Sequence, residues 1–130
     1  MMSPEKISSR SYSTGRLTEI IEKREKNADI LQKEAPTLFA GFSSLMKEYY
    51  TPSALDVKYK ELIAIGLSVS RCCVPCLAVH ALNAYKAGAN REEILDAASI
   101  GIEFGGGPAY VVVRENLIEF LNEIEEKNIR

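Results

Sequence analysis

The stretch VKYKELIAIGLSVSRCCVPCLAVHALNAYK, residues 57–86, decides the fold of this chain. Its first half carries apolar residues around most of a helical circumference, which predicts a helix buried on several sides from Val57 to about Ser70. Pro75 fits the first turn of a second helix, where a missing N–H group costs nothing, and this helix is predicted to run to about Lys86. The stretch therefore predicts two consecutive helices that flank a cysteine-containing segment.

Helical spacing of apolar residues also extends through most of the remaining chain. Before the central pair, one amphipathic helix is predicted from Arg16 and another from Pro36. After it, Asn90 opens a capping-box pattern and so begins a further helix. Residues 105–108, Gly-Gly-Gly-Pro, end that helix, and a last one is predicted over residues 109–127. Since no stretch shows convincing strand alternation, the prediction is an all-α fold of about six helices.

The chain is predicted to form one domain preceded by a short arm. Residues 1–15 are polar, rich in serine and without sustained periodicity, so we expect a flexible or partner-docked N-terminal arm. Residues 16–130 are predicted to be a single all-α domain. The chain has 130 residues, 46% of them hydrophobic and 26% charged, which is ordinary for one soluble globular domain.

Charge and hydropathy argue against several classes of partner. The net charge is −2 and the basic residues are interleaved with acidic ones, so no nucleic-acid partner is predicted. The longest apolar run, residues 62–69, is too short to span a bilayer, and no membrane partner is predicted. The N-terminus lacks the basic-then-apolar pattern of a secretory signal, so a cytoplasmic location is expected.

The chemistry of the chain is concentrated in Cys73, Cys76 and His80, the last being the one histidine present. Offsets of three and seven residues span an arc of about 60° on a helix, so both thiols and the imidazole can share one face. A helix start near Pro75 puts Cys73 close to the N-cap and Cys76 in the first turn, where free N–H groups favour a thiolate. His80 follows Cys76 by four residues and can accept its proton.

Glu61 is the fourth candidate site residue. It lies in the middle of the apolar helix before the cysteines, where a carboxylate needs a hydrogen-bond partner or has a raised pKa. Beside a thiol and an imidazole, such an acid could complete a proton relay. Cys72, the odd cysteine, is expected to be a small packing residue.

The residues by themselves leave alternatives to redox catalysis open. One is a non-enzymatic module that binds a metal or senses oxidation, although zinc prefers four ligands and the chain offers few beyond Cys73, Cys76 and His80. Another is an oligomeric protein in which the dithiol only stabilises the fold. In a reducing compartment, however, a Cys-x-x-Cys pair is more often catalytic or metal-binding than a permanent disulfide.

The order of the motifs resembles a known family. In chain order these are Glu61, the pattern Cys73-x-x-Cys76-x-x-x-His80, Lys86-Ala87-Gly88-Ala89 and Gly105-Gly106-Gly107-Pro108. Over about residues 36–125 this resembles the carboxymuconolactone decarboxylase-like family, and within it the alkylhydroperoxidase D-like branch, which has the cysteine pair. The decarboxylase branch lacks that pair, so the resemblance does not imply lactone decarboxylation.

The resemblance implies an all-α fold, a homo-oligomer that is a trimer or a hexamer, and thiol-dependent reduction of a peroxide or a disulfide in antioxidant defence. It implies that Glu61, Cys73, Cys76 and His80 form the catalytic site, with Cys76 as the activated thiol and Cys73 as its disulfide partner. It also implies a dithiol reductant, either a lipoyl group or a thioredoxin-like protein. No cofactor and no metal are predicted.

Overall fold

The computed structural model describes residues 15–129, and over this range the secondary structure is helical without strands. The helices are α1 (Arg16–Glu34), α2 (Pro36–Tyr49), α3 (Val57–Ser70), α4 (Val74–Lys86), α5 (Arg91–Gly105), α6 (Gly107–Val112) and α7 (Ile118–Lys127). The all-α prediction is confirmed. Apart from Gly15, the predicted N-terminal arm lies outside the described residues.

The last predicted helix is present, but it is not a continuous α-helix. A π-helical segment, Val113–Leu117, joins α6 to α7. The hydrophobic spacing on either side is helical, and the insertion of a wider turn leaves no mark in that spacing. Sequence periodicity therefore predicts the extent of this helix and not its internal change of pitch.

Local signals set the main helix boundaries. The Asn90 side chain accepts the backbone N–H of Glu93 at 2.8 Å, and the Glu93 carboxylate accepts the backbone N–H of Asn90 at 3.0 Å. This is the predicted capping box at the start of α5. Gly106 has a φ of 74°, a conformation that lets α5 end and α6 begin with one residue between them.

Helix α3 is the centre of the fold and packs mainly against α5 and α4. Its approach to α5 depends on two glycines, because a Cβ atom added to Gly101 would collide with the carbonyl oxygen of Gly66 and with the Val69 side chain. The same helix also meets α4, and this contact brings Glu61 to His80 on the cysteine-containing helix.

The first and last helices are tied together by a buried carboxylate. Glu123 on α7 accepts the backbone N–H groups of Leu17 and Thr18 at 3.1 and 2.9 Å, at the start of α1. Burial alone would raise the pKa of Glu123, but hydrogen bonds from Thr18, Lys127 and Leu17 hold the pKa below its usual value. The stabilisation from this group is therefore present above the ordinary glutamate pKa and is lost on acidification.

Beyond its anchored start, the α1–α2 hairpin contributes little to the core. Leu17 is the buried residue of α1, and α2 has none. The hairpin forms one wall of a cleft instead, facing α3 and α4. Within the described residues, every helix is too short or too polar to cross a membrane.

Candidate active site

The two cysteines lie at the start of α4 and are joined there as a disulfide, with 5.3 Å between their Cα atoms. Cys73 is the N-cap residue, and its sulfur accepts the backbone N–H of Cys76 at 3.3 Å. Pro75 lies in the first turn, as predicted from its missing N–H group. The backbone therefore allows the pair to form a disulfide, and it directs a helical N–H group at Cys73.

Glu61 and His80 meet across the contact between α3 and α4. The Oε1 atom of Glu61 lies 2.7 Å from Nδ1 of His80, and Glu61 is only 4% exposed. The hydrogen-bond partner that a buried carboxylate requires is thus the imidazole. A carboxylate on Nδ1 favours the tautomer with its proton on that nitrogen, which leaves Nε2 as a base.

Tyr50, at the end of α2, is a member of the site that the sequence did not indicate. Its ring stacks on the His80 imidazole, with 5.6 Å between the centroids and 26° between the planes. Burial, and secondarily the charge of Glu61, raises the pKa of Tyr50. Tyr50 is one of six tyrosines and lies in no motif, so only the fold identifies it.

A cleft of about 1130 Å³ lies over these groups, between α1, α2, α3 and α4. Cys76 lines the cleft and is exposed, whereas Cys73 is half-buried. The lining includes a set of apolar and aromatic side chains: Ile20, Phe42, Met46, Tyr49, Ile63, Ala64, Leu67 and Val79. Basic side chains also line it: Lys23, Arg24, Lys47 and Lys60. The fold thus brings all four predicted site residues together, with one sulfur accessible from the cleft.

The structure bears on two further expectations from the sequence, the role of Cys72 and the possibility of a metal site. Cys72 was expected to be a small packing residue, and this is wrong: it is an exposed free cysteine with a φ of 53° in the turn before α4. Over residues 15–129, no group of three or more His, Cys, Asp or Glu side chains has a geometry that could hold a metal ion.

Two proteins of similar sequence cover most of the chain. An uncharacterised protein of Cupriavidus necator is 32% identical over 105 residues, which is 81% of this chain and 89% of that protein. An uncharacterised protein in the cox locus of Paracoccus denitrificans is 32% identical over 84 residues, which is 65% of this chain and 75% of that protein.

Two solved structures also resemble this chain over most of its length. A carboxymuconolactone decarboxylase family protein of Legionella pneumophila has a TM-score of 0.75 and 34% identity, covering 85% of this chain and 96% of its own. A Thermotoga maritima protein has a TM-score of 0.79 and 28% identity, with the same coverage. That protein is a member of the same family and a candidate participant in an antioxidative response.

The family model itself matches residues 36–117 of the chain. This range runs from the first residue of α2 to the last residue of the π-helical segment and contains all four predicted site residues. The match covers more than half of the sequence, and it agrees with the relatives and with the all-α structure. The chain therefore belongs to the carboxymuconolactone decarboxylase family.

Proposed function

We propose that this protein is a thiol-dependent, peroxiredoxin-type oxidoreductase that reduces a peroxide or a disulfide with Cys73 and Cys76. The observation that carries the proposal is that exposed Cys76 lines a cleft together with the hydrogen-bonded pair Glu61 and His80. A thiol, a base and an acid that orients the base are the parts that a nucleophilic thiol site requires.

In the proposed reaction His80 accepts the thiol proton of Cys76 while Glu61 stabilises the imidazolium. The Cys76 thiolate attacks one peroxide oxygen, the O–O bond breaks, and the other oxygen leaves as an alcohol or water after taking a proton from His80. Cys76 is then a sulfenic acid. The Cys73 thiolate attacks its sulfur, water leaves, and a disulfide forms, so the dithiol supplies both electrons that reduce the peroxide.

A second dithiol is needed to reset the enzyme, and we propose a lipoyl group or a thioredoxin-like protein. Its thiolate attacks the accessible sulfur, that of Cys76, and Cys73 leaves as a thiolate. The backbone N–H of Cys76, 3.3 Å from the Cys73 sulfur, stabilises that leaving group. The second thiol of the donor then displaces Cys76, which leaves the enzyme reduced and the donor as a disulfide.

This activity fits a role in antioxidant defence, and we propose a cytoplasmic location because the cycle needs reducing equivalents. The antioxidative role considered for the Thermotoga maritima protein, which shares the fold, supports the proposal.

We also propose that the working form is a homo-oligomer, a trimer or a hexamer. A set of large apolar side chains on α5 and α6 is solvent-exposed in one chain, with Phe104 at 79% and Ile100 at 59%. Tyr110 and Val111 extend the same set at 52% and 41%. Exposed apolar clusters of this kind are typical of surfaces that a partner covers.

Peroxide consumption with an excess of dithiothreitol tests the catalytic proposal. Cys76→Ser and Cys73→Ser should each reduce turnover to background, and His80→Gln should lower kcat about 100-fold because proton transfer is lost. Cys72→Ser is the matched control, since Cys72 is an exposed free thiol outside the cleft, and it should retain full activity. Turnover that persists in Cys76→Ser would overturn the mechanism.

Thiol labelling before and after one equivalent of peroxide tests the same proposal without turnover. We expect mass spectrometry to show loss of label from Cys73 and Cys76 together, while Cys72 remains labelled. Oxidation of Cys72 with Cys73 and Cys76 still reduced would contradict the assigned pair.

A further inference from the structure

The cleft over the proposed active site is larger than a small peroxide requires. We propose that its substrate is an anionic amphipath, a hydroperoxide on a long apolar chain that ends in a free carboxylate. This inference rests on the proposed peroxidase function and names the substrate class of that site. Cys73 and Cys76 would reduce such a hydroperoxide to the corresponding alcohol and water, with the dithiol becoming a disulfide.

The size and lining of the cleft favour an apolar chain. Its volume of about 1130 Å³ exceeds the roughly 300–1000 Å³ of ordinary small-molecule sites. Phe42 on α2 and Leu67 on α3 both line the cleft, and they are 59% and 58% exposed. Covering such side chains is worth about 25 cal/mol per Å², whereas hydrogen peroxide has no apolar surface to contribute.

The charges around the cleft favour a carboxylate. Its basic lining residues are Lys23, Arg24, Lys47 and Lys60, and the ion pairs found within residues 15–129 involve other basic residues. Lys60 donates to the Thr51 carbonyl oxygen at 2.6 Å and the Ser53 hydroxyl at 2.9 Å, which are neutral acceptors. These cations therefore keep their charge available to a ligand.

The positive charge around the cleft is local, because the chain as a whole has a net charge of −2. The acidic residue that lines the cleft is Glu61, and it is buried against His80. A cleft lined by one sign of charge over apolar walls concentrates ligands of the opposite sign. An apolar chain with an anionic end matches both features at once.

The alternative occupant of the cleft is a second copy of the chain. A carboxylate ligand and a second copy would pair differently with the basic side chains of the cleft. The α1–α2 hairpin that forms the outer wall is rich in both lysine and glutamate, so a self-contact would give mixed ion pairs. If a carboxylate binds in the cleft, removing only the charge of the ligand should weaken its binding to the protein.

The experiment compares three hydroperoxides with dithiothreitol as donor, all below their aggregation concentrations. These are linoleic acid hydroperoxide, its methyl ester and tert-butyl hydroperoxide. We expect kcat/KM for the acid to exceed that for the ester about tenfold at low salt, and this ratio to fall as ionic strength rises. The double variant Lys23→Gln/Lys47→Gln should bring the acid close to the ester, whereas Lys26→Gln, an exposed lysine outside the cleft, should not.

A binding measurement provides a readout independent of turnover. Linoleate without the peroxide group should bind the Cys76→Ser protein, and methyl linoleate should bind about tenfold more weakly. Equal kcat/KM for acid and ester, or an unchanged ratio in the double lysine variant, would overturn this inference while leaving the peroxidase proposal intact. Failure to reduce tert-butyl hydroperoxide as well would overturn the peroxidase proposal itself. If Leu67→Glu dissociates an oligomer without changing KM, the cleft is an interface and this inference is wrong.

Discussion

At the scale of single residues, His80 is the point where three parts of the chain meet. It is carried by α4, its Nδ1 atom is 2.7 Å from Glu61 on α3, and Tyr50 from the end of α2 stacks on its ring. The hydrogen bond sets the tautomer, and the stacked ring limits rotation of the imidazole. The orientation of the proposed base therefore depends on residues far from it in sequence.

Replacing Tyr50 should separate the positioning of His80 from the chemistry of the thiols. Tyr50→Ala removes the stacked ring, and we expect kcat for hydrogen peroxide to fall about tenfold with KM changed little, because a misplaced base lowers proton transfer. Tyr50→Phe keeps the ring and should recover most of the activity. Steady-state kinetics over a range of pH provide the measurement.

The control for this pair is Tyr59→Ala, since Tyr59 is 50% exposed on α3 and does not line the cleft. It should leave kcat unchanged. If Tyr50→Phe is as impaired as Tyr50→Ala, the hydroxyl rather than the stacked ring is what matters, and the positioning role is wrong.

At the scale of elements, α3 holds the site together because it packs closely against α5 and also brings Glu61 to His80 on α4. Gly66 and Gly101 make the α5 contact possible, since a Cβ atom on Gly101 meets the Gly66 carbonyl oxygen. The apolar pattern of α3 indicates burial on several sides. It does not indicate which neighbour requires a glycine.

Gly101→Ala should therefore destabilise the protein although alanine favours helices. The gain in helix propensity is about 1 kcal/mol, but separating α3 from α5 costs about 1–3 kcal/mol in lost packing. Because the steric contact is with backbone, we expect a lower thermal midpoint by calorimetry. Gly41→Ala is the matched control, since no atom lies within 4 Å of an added Cβ there, and it should raise the midpoint slightly. A Gly101→Ala protein at least as stable as the parent would show that the two helices separate freely.

At the scale of the whole molecule, two sets of exposed apolar side chains bear on the proposed function. One lines the cleft beside Cys76, and the other, on α5 and α6, lies outside the cleft. We assign the cleft to substrate and the α5–α6 region to the contact between copies. The two roles can then be tested separately.

Phe104→Glu should weaken the proposed oligomer, because a carboxylate would replace a large apolar side chain that is 79% exposed in one chain. Sedimentation velocity should show a smaller species for this variant than for the parent protein. Ser99→Glu adds the same charge to an exposed position on α5 outside the apolar set and should leave the assembly unchanged. A parent protein that sediments as a monomer would refute the oligomer.

Much of the site could be predicted because its central part is local. Cys73, Cys76 and His80 belong to one helix and its cap, so their spacing alone puts them on one side. The boundaries of α4 and α5 follow from Pro75 and from the Asn90 capping box, which act within a few residues. Cys72 shows the limit of such reasoning, because its exposure is decided by a backbone turn that its residue type does not reveal.

The sequence by itself therefore determined an all-α chain, most of its helix boundaries, and a dithiol with an imidazole on one helix, since these depend on hydrogen bonds and spacing within single elements. Only the tertiary structure decided that Glu61 meets Nδ1 of His80, that Tyr50 stacks on the same ring, and that four cations surround the cleft. These features depend on how α1, α2 and α3 pack around α4. Packing between distant segments is set by the shape of whole helix surfaces, which no local pattern specifies.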